Sequence, residues 1–183
     1  MQTKVPDYSK CKASSTYAND RMAHSHGKGR LDSSQAWSSR HNSAGQWWQM
    51  DLGKTQKVAG VVTQCRRGGG QCVNKYKVQV SIDGSDFKDV DGGKQWEGNR
   101  DRGDGGNKRV KHLFSVPVTA RYVRWVVSEW HGHMSMRAGI VTCKGPSCSG
   151  SKEVVPDYSA CKASSTYGND AMGHSHGKGR LDS

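Results

Sequence analysis

The chain has 183 residues, 28 basic against 16 acidic, and a net charge of +12, so it holds one domain of ordinary size with a remainder and favours anionic partners without naming one. Hydrophobic residues make up 33%, but 23 glycines stand beside them, which suits a modest core with long loops better than disorder. No apolar run approaches the roughly 18 residues of a membrane-spanning helix, and the opening MQTKVPDYS lacks the hydrophobic stretch of a secretory signal.

Residues 5–33, VPDYSKCKASSTYANDRMAHSHGKGRLDS, return at 155–183 with differences only at Lys10/Ala160, Ala18/Gly168, Arg21/Ala171 and Ala23/Gly173. An offset of 150 residues is a domain, not a solenoid unit. The chain therefore reads as one domain (1–143), a Pro-, Gly- and Ser-rich linker (144–154) and the truncated beginning of a second repeat (155–183). That second copy lacks strands on which to bury its apolar positions and is not expected to fold alone. A tandem array is the natural parent, and arrays of weak binders gain affinity through effective concentration.

Thr16 to Gln35 is the first long connection, carrying Arg21, Met22, His24 and His26. A His-x-His pair holds Zn or Cu only when further ligands converge, and none stands at ligand spacing here. No metal is expected; a sugar hydroxyl or water is the expected partner. Gln46 to Thr63 reads as two strands broken by a turn at Gly53 and Lys54. Trp47, with Met50 or Leu52, is expected to point inward, and Trp48 is left open between core and surface. The second long connection, Cys65 to Asn74, carries Arg66 and Arg67, and its RRGGGQ is flexible enough for Cys65 and Cys72 to close a short disulfide.

Lys75 to Ile82 alternates, with Tyr76, Val78, Val80 and Ile82 on one face, and Asp83 and Gly84 supply a hairpin turn. The third connection, Asp91 to Asn107, holds Trp96, Arg100 and Arg102, followed by Lys108 and Arg109. Trp96 offers a flat face for a sugar ring or lipid headgroups, and Met22 an apolar tip for lipid. Val110, His112, Phe114 and Val116 make another alternating face, ended by Pro117; Arg121 to Trp130 and Met134 to Cys143 complete the strands. His131-Gly-His133 is a second His pair of the same kind. Asp51, Arg121, Arg124 and Arg137 lie in strands and are assigned to structure. No nucleophile elbow, phosphate loop or His-Glu-x-x-His is present, so no catalysis is expected. Many short strands with long connections imply an all-β sandwich or jelly roll.

Seven blocks in order, ASSTY (13–17), GRLDSSQAW (29–37), QWWQMDLGKTQKVAGVVTQ (46–64), NKYKVQVSIDGSDF (74–87), EGNRD (97–101), FSVPVTARYVRWV (114–126) and MRAGIVTC (136–143), resemble the discoidin domain, or coagulation factor V/VIII C-type domain. The resemblance implies an eight-stranded distorted jelly-roll barrel of the galactose-binding-like type. It also implies an extracellular, non-catalytic module whose loops at one end bind glycans, anionic phospholipid, collagen or other surface ligands. Some relatives hold calcium, which leaves room for a weak calcium site among Asp83, Asp86, Asp89 and Asp91; no other cofactor is implied. Cys65 and Cys72 depart from the family pattern. The family's usual amino-terminal cysteine would fall before Met1, so the first domain reads as truncated at its start, and Cys143 is left with Cys11 or Cys148 as partner.

The combined expectation is an extracellular adhesion module that recognises carbohydrate, anionic glycans above all, through three basic loops gathered at one pole. Anionic phospholipid and extracellular protein are the alternatives; nucleic acid has only the charge in its favour.

Overall fold

The structure is a computed structural model that describes residues 1–100 and 104–144. Arg102, nearly all of the expected linker and the second copy lie outside the described residues. The domain is a curled, antiparallel all-β jelly roll built from β1 (Gln2–Lys4), β2 (Cys11–Ala13), β3 (Trp37–Ser38), β4 (Trp47–Gln64), β5 (Cys72–Ser81), β6 (Lys88–Asp89), β7 (Trp96–Glu97), β8 (Val110–His131) and β9 (Ser135–Thr142). The main path of pairing is β1-β9-β4-β8-β5-β6, with β2 on β4, β3 on β9 and β7 on β5.

Two long bent strands organise the barrel. β4 passes through the expected turn without ending, because the pairing skips from Asp51 to Gln56 and the segment between them bulges out. Gly53 at φ +77° supplies the left-handed residue that the bulge requires. β8 likewise runs through Pro117. Its register jumps from Leu113 opposite Gly60 to Val118 opposite Val58, so the residues between loop out. That corrects the face assigned to Val116, which is 68% exposed, while Phe114 stays buried. Ile82 is also exposed, since it lies beyond the last β5–β8 pair, Ser81 with Tyr122.

The tryptophan pair is the second correction. Strand side chains alternate, so Trp48 shares a face with Met50 and Trp47 does not. Trp48 and Met50 are fully buried, and Trp48 sits opposite Trp125 and 6.1 Å from the ring of Trp37. Trp47 faces outward beneath the guanidinium of Arg124, 4.1 Å from its ring centroid. A Cβ on Gly29 would lie 2.7–2.8 Å from Trp37 and Trp48, so only glycine lets the first connection lie against this cluster. Tyr76, Val78, Val123, Met136 and Ile140 extend the core.

Candidate functional site

Each long connection leaves the barrel near one end, and a buried arginine fastens all three there. Arg137, on β9, is fully buried. Its Nε donates to the Cys65 carbonyl at 2.8 Å, Nη1 to the Ser33 carbonyl at 3.0 Å, and Nη2 to the Gly106 carbonyl at 2.6 Å. Those three carbonyls belong to the second, first and third connections. An isolated buried charge would be costly; three bonds to backbone carbonyls, with the Asn107 side-chain oxygen 3.3 Å from Nη2, offset that cost. Burial, then the nearby Arg67 charge, loosens its proton somewhat, while Asp32 and Asp104 act the other way.

Further bonds close the junction. Gln64 accepts from the Asp32 amide at 2.9 Å and donates to the Asn107 carbonyl at 2.7 Å. Asn99 accepts from Thr63 and donates to the Lys108 carbonyl, both at 2.8 Å. Arg109 pairs with Asp32. Gly106, at φ +76°, lies so close to Arg66 that an added Cβ would be 2.0 Å from its carbonyl oxygen. The Cys65–Cys72 disulfide closes the base of the second connection with 4.5 Å between Cα atoms. Cys11 is free and buried, its thiol pushed up to about 12 by burial, so it is not the partner of Cys143, which is itself disulfide-bonded.

A cleft of about 300 Å³ opens at this junction, lined by Tyr17, His26, Ser38, Arg66, Gln71 and His133. Tyr17, half exposed, meets His26 and His133 edge-on at centroid distances of 4.8 and 5.5 Å. His26 Nδ1 lies 2.7 Å from Asp20 Oδ2, which also accepts the His26 amide at 3.1 Å. These bonds draw the Asp20 carboxyl below its ordinary value. With the Nδ1 proton given to a carboxylate, His26 Nε2 is the nitrogen left to meet a ligand. His133 Nε2 donates to the Ser39 carbonyl at 2.7 Å, and its Nδ1 accepts from Asn42 at 3.2 Å, an amide oriented by the Met134 N–H on its oxygen. Arg66 donates to Gln71 Oε1 at 2.8 Å, as does Ser135 at 3.1 Å.

The expected ligand residues divide. His26 and Arg66 line the cleft. Arg21, His24 and Arg67 are exposed, and Arg100 pairs with Glu97 at 3.2 Å. Met22 packs against the core instead of forming an apolar tip. Trp96 is the main correction. It is 4% exposed because β7 pairs it with Tyr76, and Phe114, His112 and Lys94 cover its ring. Tyr17, Ser38 and Gln71 were not anticipated. Only Tyr17 gave a signal, as the one aromatic in the first connection.

The aspartates considered for calcium are engaged with protein donors. Asp83 accepts from Ser81 and from the Ser85 and Asp86 amides within 3.0 Å, which holds its carboxyl far below the usual range. Asp89 binds Lys77 and Gln79, and Asp91 binds the Ser115 amide. Among the described residues no three His, Cys, Asp or Glu side chains gather as metal ligands, and no helix is long and apolar enough to cross a membrane.

A family model for the F5/8 type C domain matches residues 10–140, most of the chain. The chain belongs to that family. Rat lactadherin is 37% identical over 123 residues, 63% of this chain and 28% of lactadherin, so the chain spans little more than a quarter of that relative. Among solved structures, discoidin II of Dictyostelium discoideum superposes with a TM-score of 0.62 at 22% identity, covering 76% of this chain and 57% of that one. The family 32 CBM of NanJ from C. perfringens gives 0.53 at 19% identity, covering 76% and 98%. At such identities the likeness is one of fold. The cleft of this F5/8 type C domain lies on the connections, the part of the chain that the barrel positions but does not dictate.

Proposed function

We propose that this domain is a non-catalytic, extracellular binding module whose loop-end cleft takes a carbohydrate carrying a negative charge, such as a uronate or a sulfated sugar. The observation that carries the reading is the lining of the cleft. Tyr17 offers a ring edge, His26 Nε2, Gln71 and Ser38 offer polar partners for hydroxyls, and Arg66 offers a guanidinium for an anion. The NanJ module was solved with galactose, and its fold places loops around a comparable barrel. A disulfide at the base of the site suits an oxidising compartment.

The anionic phospholipid reading has less support. Insertion needs apolar tips, yet Met22 is packed inward and Trp96 is buried. Of the exposed large hydrophobics among the described residues, only Tyr17 belongs to the three connections. The test is a glycan array carrying neutral, uronate and sulfated sugars, read at low and raised salt. Retention of one anionic glycan at raised salt, lost in Arg66→Ala and kept in Arg67→Ala, is the expected result. Uniform loss of all binding with salt would leave only diffuse charge attraction and defeat the proposal.

A further inference from the structure

Two kinds of side-chain partner hold arginines in this domain. Arg30, Arg100, Arg109 and Arg121 pair with the carboxylates of Asp7, Glu97, Asp32 and Asp51. Arg66, Arg40 and Arg124 are held by amides instead. Arg66 donates to Gln71 Oε1 at 2.8 Å, Arg40 to Asn19 Oδ1 at 3.0 Å, and Arg124 to Gln49 Oε1 at 2.8 Å from Nη2 and 3.2 Å from Nε. An amide oxygen fixes the direction of a guanidinium without cancelling its charge. Each of the three is therefore aimed and still a full cation.

Arg124 shows this most fully. Residues directly opposite in antiparallel pairs share a face, so Lys12, Gln49, Arg124, Gln79 and Asp89 form one outward row across β2, β4, β8, β5 and β6. The Arg124 guanidinium lies between the rings of Phe87 and Trp47, 3.6 and 4.1 Å from their centroids. Gln49 takes the Nε side of the fork, and among the described residues Nη1 has no protein acceptor. The one carboxylate of the row, Asp89, is occupied by Lys77 and Gln79 at 3.0 and 2.8 Å. A stiff, half-buried fork with a free edge loses little freedom on meeting an oxyanion.

Polar contacts link the three arginines. Arg66 and Tyr17 line the cleft, and Tyr17 follows two residues after Ser15, whose hydroxyl accepts the Arg40 amide at 3.1 Å. Ser14 and Ser15 donate to Gln46 at 2.7 and 2.6 Å, and the Ser14 amide donates to the Trp47 carbonyl at 3.0 Å. Tyr17 to Ser15 is at most about 7 Å of extended chain, and the diagonal step from Trp47 to Arg124 adds about 7–8 Å. A chain of sugars, not a single one, reaches from end to end. Among the described residues the exposed large hydrophobics are Met1, Tyr17, Ile82, Leu113 and Val116, none of them in the Arg124 row. Without an apolar centre, the row suits a hydroxyl-rich chain better than a protein interface.

We propose that Arg66, Arg40 and Arg124 form one track for an acidic glycan chain, which enters the cleft at one end and sets a second carboxylate or sulfate on the Arg124 fork at the other. On the carbohydrate reading of the cleft, on which this rests, the ligand is a chain with acidic groups repeated along it.

The test is calorimetric titration of the full chain at raised salt with a galacturonate disaccharide, a galacturonate octasaccharide, a sulfated octasaccharide and an octaglutamate peptide. One of the octasaccharides is expected to bind at least about tenfold tighter than the disaccharide, and which one does so decides between carboxylate and sulfate. Arg124→Gln and Arg40→Gln are each expected to remove most of that gain; Arg40 is exposed, so its variant reports on the track without disturbing the sheet. Arg100→Gln, which removes the same charge from a carboxylate pair, is expected to keep the gain. Disaccharide binding that is lost in Arg66→Ala, with no gain on lengthening, overturns the track and spares the cleft. Octasaccharide binding that depends on Arg40 and Arg124, with no disaccharide binding, overturns the cleft reading and keeps the outer part of the track. Equal loss in Arg100→Gln reduces the track to diffuse charge and overturns it, and octaglutamate bound as tightly as either octasaccharide overturns it in favour of acidic protein. No binding of either octasaccharide overturns both.

Discussion

At the loop end, the bonds that hold the backbone join residues far apart in the chain: Arg137 reaches Ser33 across 104 positions, Cys65 across 72 and Gly106 across 31. At the opposite end, where β4 and β8 bend back, the turn after β5 is closed by Asp83 and Ser81 with bonds spanning two or three positions. The principal long-range tie there, the paired bonds from Arg121 to Asp51 at 2.8 Å, is partly exposed. A short turn loses little entropy on ordering and holds itself. Long Gly-rich connections lose far more and need a buried fastener to stand still. The contrast identifies which end is built to hold a precise surface.

The largest expected effect comes from removing one arginine at each end. Arg137→Met strands two buried carbonyls and a part-buried one and should cost about 3 kcal/mol or more in urea unfolding, with loss of glycan binding. Arg121→Met breaks a partly exposed pair and should cost clearly less, with binding intact. Equal costs would dissolve the distinction between the ends. Glycine sharpens it next. Gly106 and Gly53 have nearly the same φ, +76° and +77°, but a Cβ at Gly106 meets the Arg66 carbonyl and one at Gly53 meets nothing. Gly53→Ala should cost about 1 kcal/mol for the left-handed backbone alone. Gly106→Ala should exceed that and weaken binding, because the second and third connections must part.

Acid should act on the loop end through Asp20. Its carboxyl is depressed by the His26 side-chain bond first and the His26 amide second. A depressed carboxylate stabilises above its ordinary value of 3.8 and loses that contribution as pH falls through the lower folded value. Glycan binding should therefore decline below about pH 4, and Asp20→Asn should flatten that decline. Asp83 is depressed as well, so Asp83→Asn should alter acid unfolding without touching binding.

Most of the fold was legible because it rests on alternation and ordered motifs, and Lys75 to Val80 reads correctly residue by residue. Alternation failed where register jumps: Val116 and Ile82 look inward in sequence, and only the bulge and the strand end expel them. The site was half legible. Charge and glycine mark the connections, and the cysteine spacing marks Cys65 with Cys72. Which side chains face the cleft is decided by long-range contacts that no local pattern carries. Trp96 looks like a loop tryptophan until β7 pairs with β5. Arg137 was assigned to structure, and nothing near it in sequence shows that its partners are carbonyls of three separate connections.

The smallest effect tests whether the loop end is strained in its first copy. Ala18 and Ala23 sit in the left-handed region, at about 1 kcal/mol each relative to glycine. Replacing alanine with glycine also frees the unfolded chain by roughly 0.5–1 kcal/mol, which opposes the gain. The two terms nearly cancel, so Ala18→Gly with Ala23→Gly should raise stability by at most a few tenths of a kcal/mol per site. Ala44→Gly, at an exposed alanine whose φ is not left-handed, meets no strain to relieve and should destabilise. A clear loss at Ala18 and Ala23 would mean that the alanine methyls make contacts worth more than the strain.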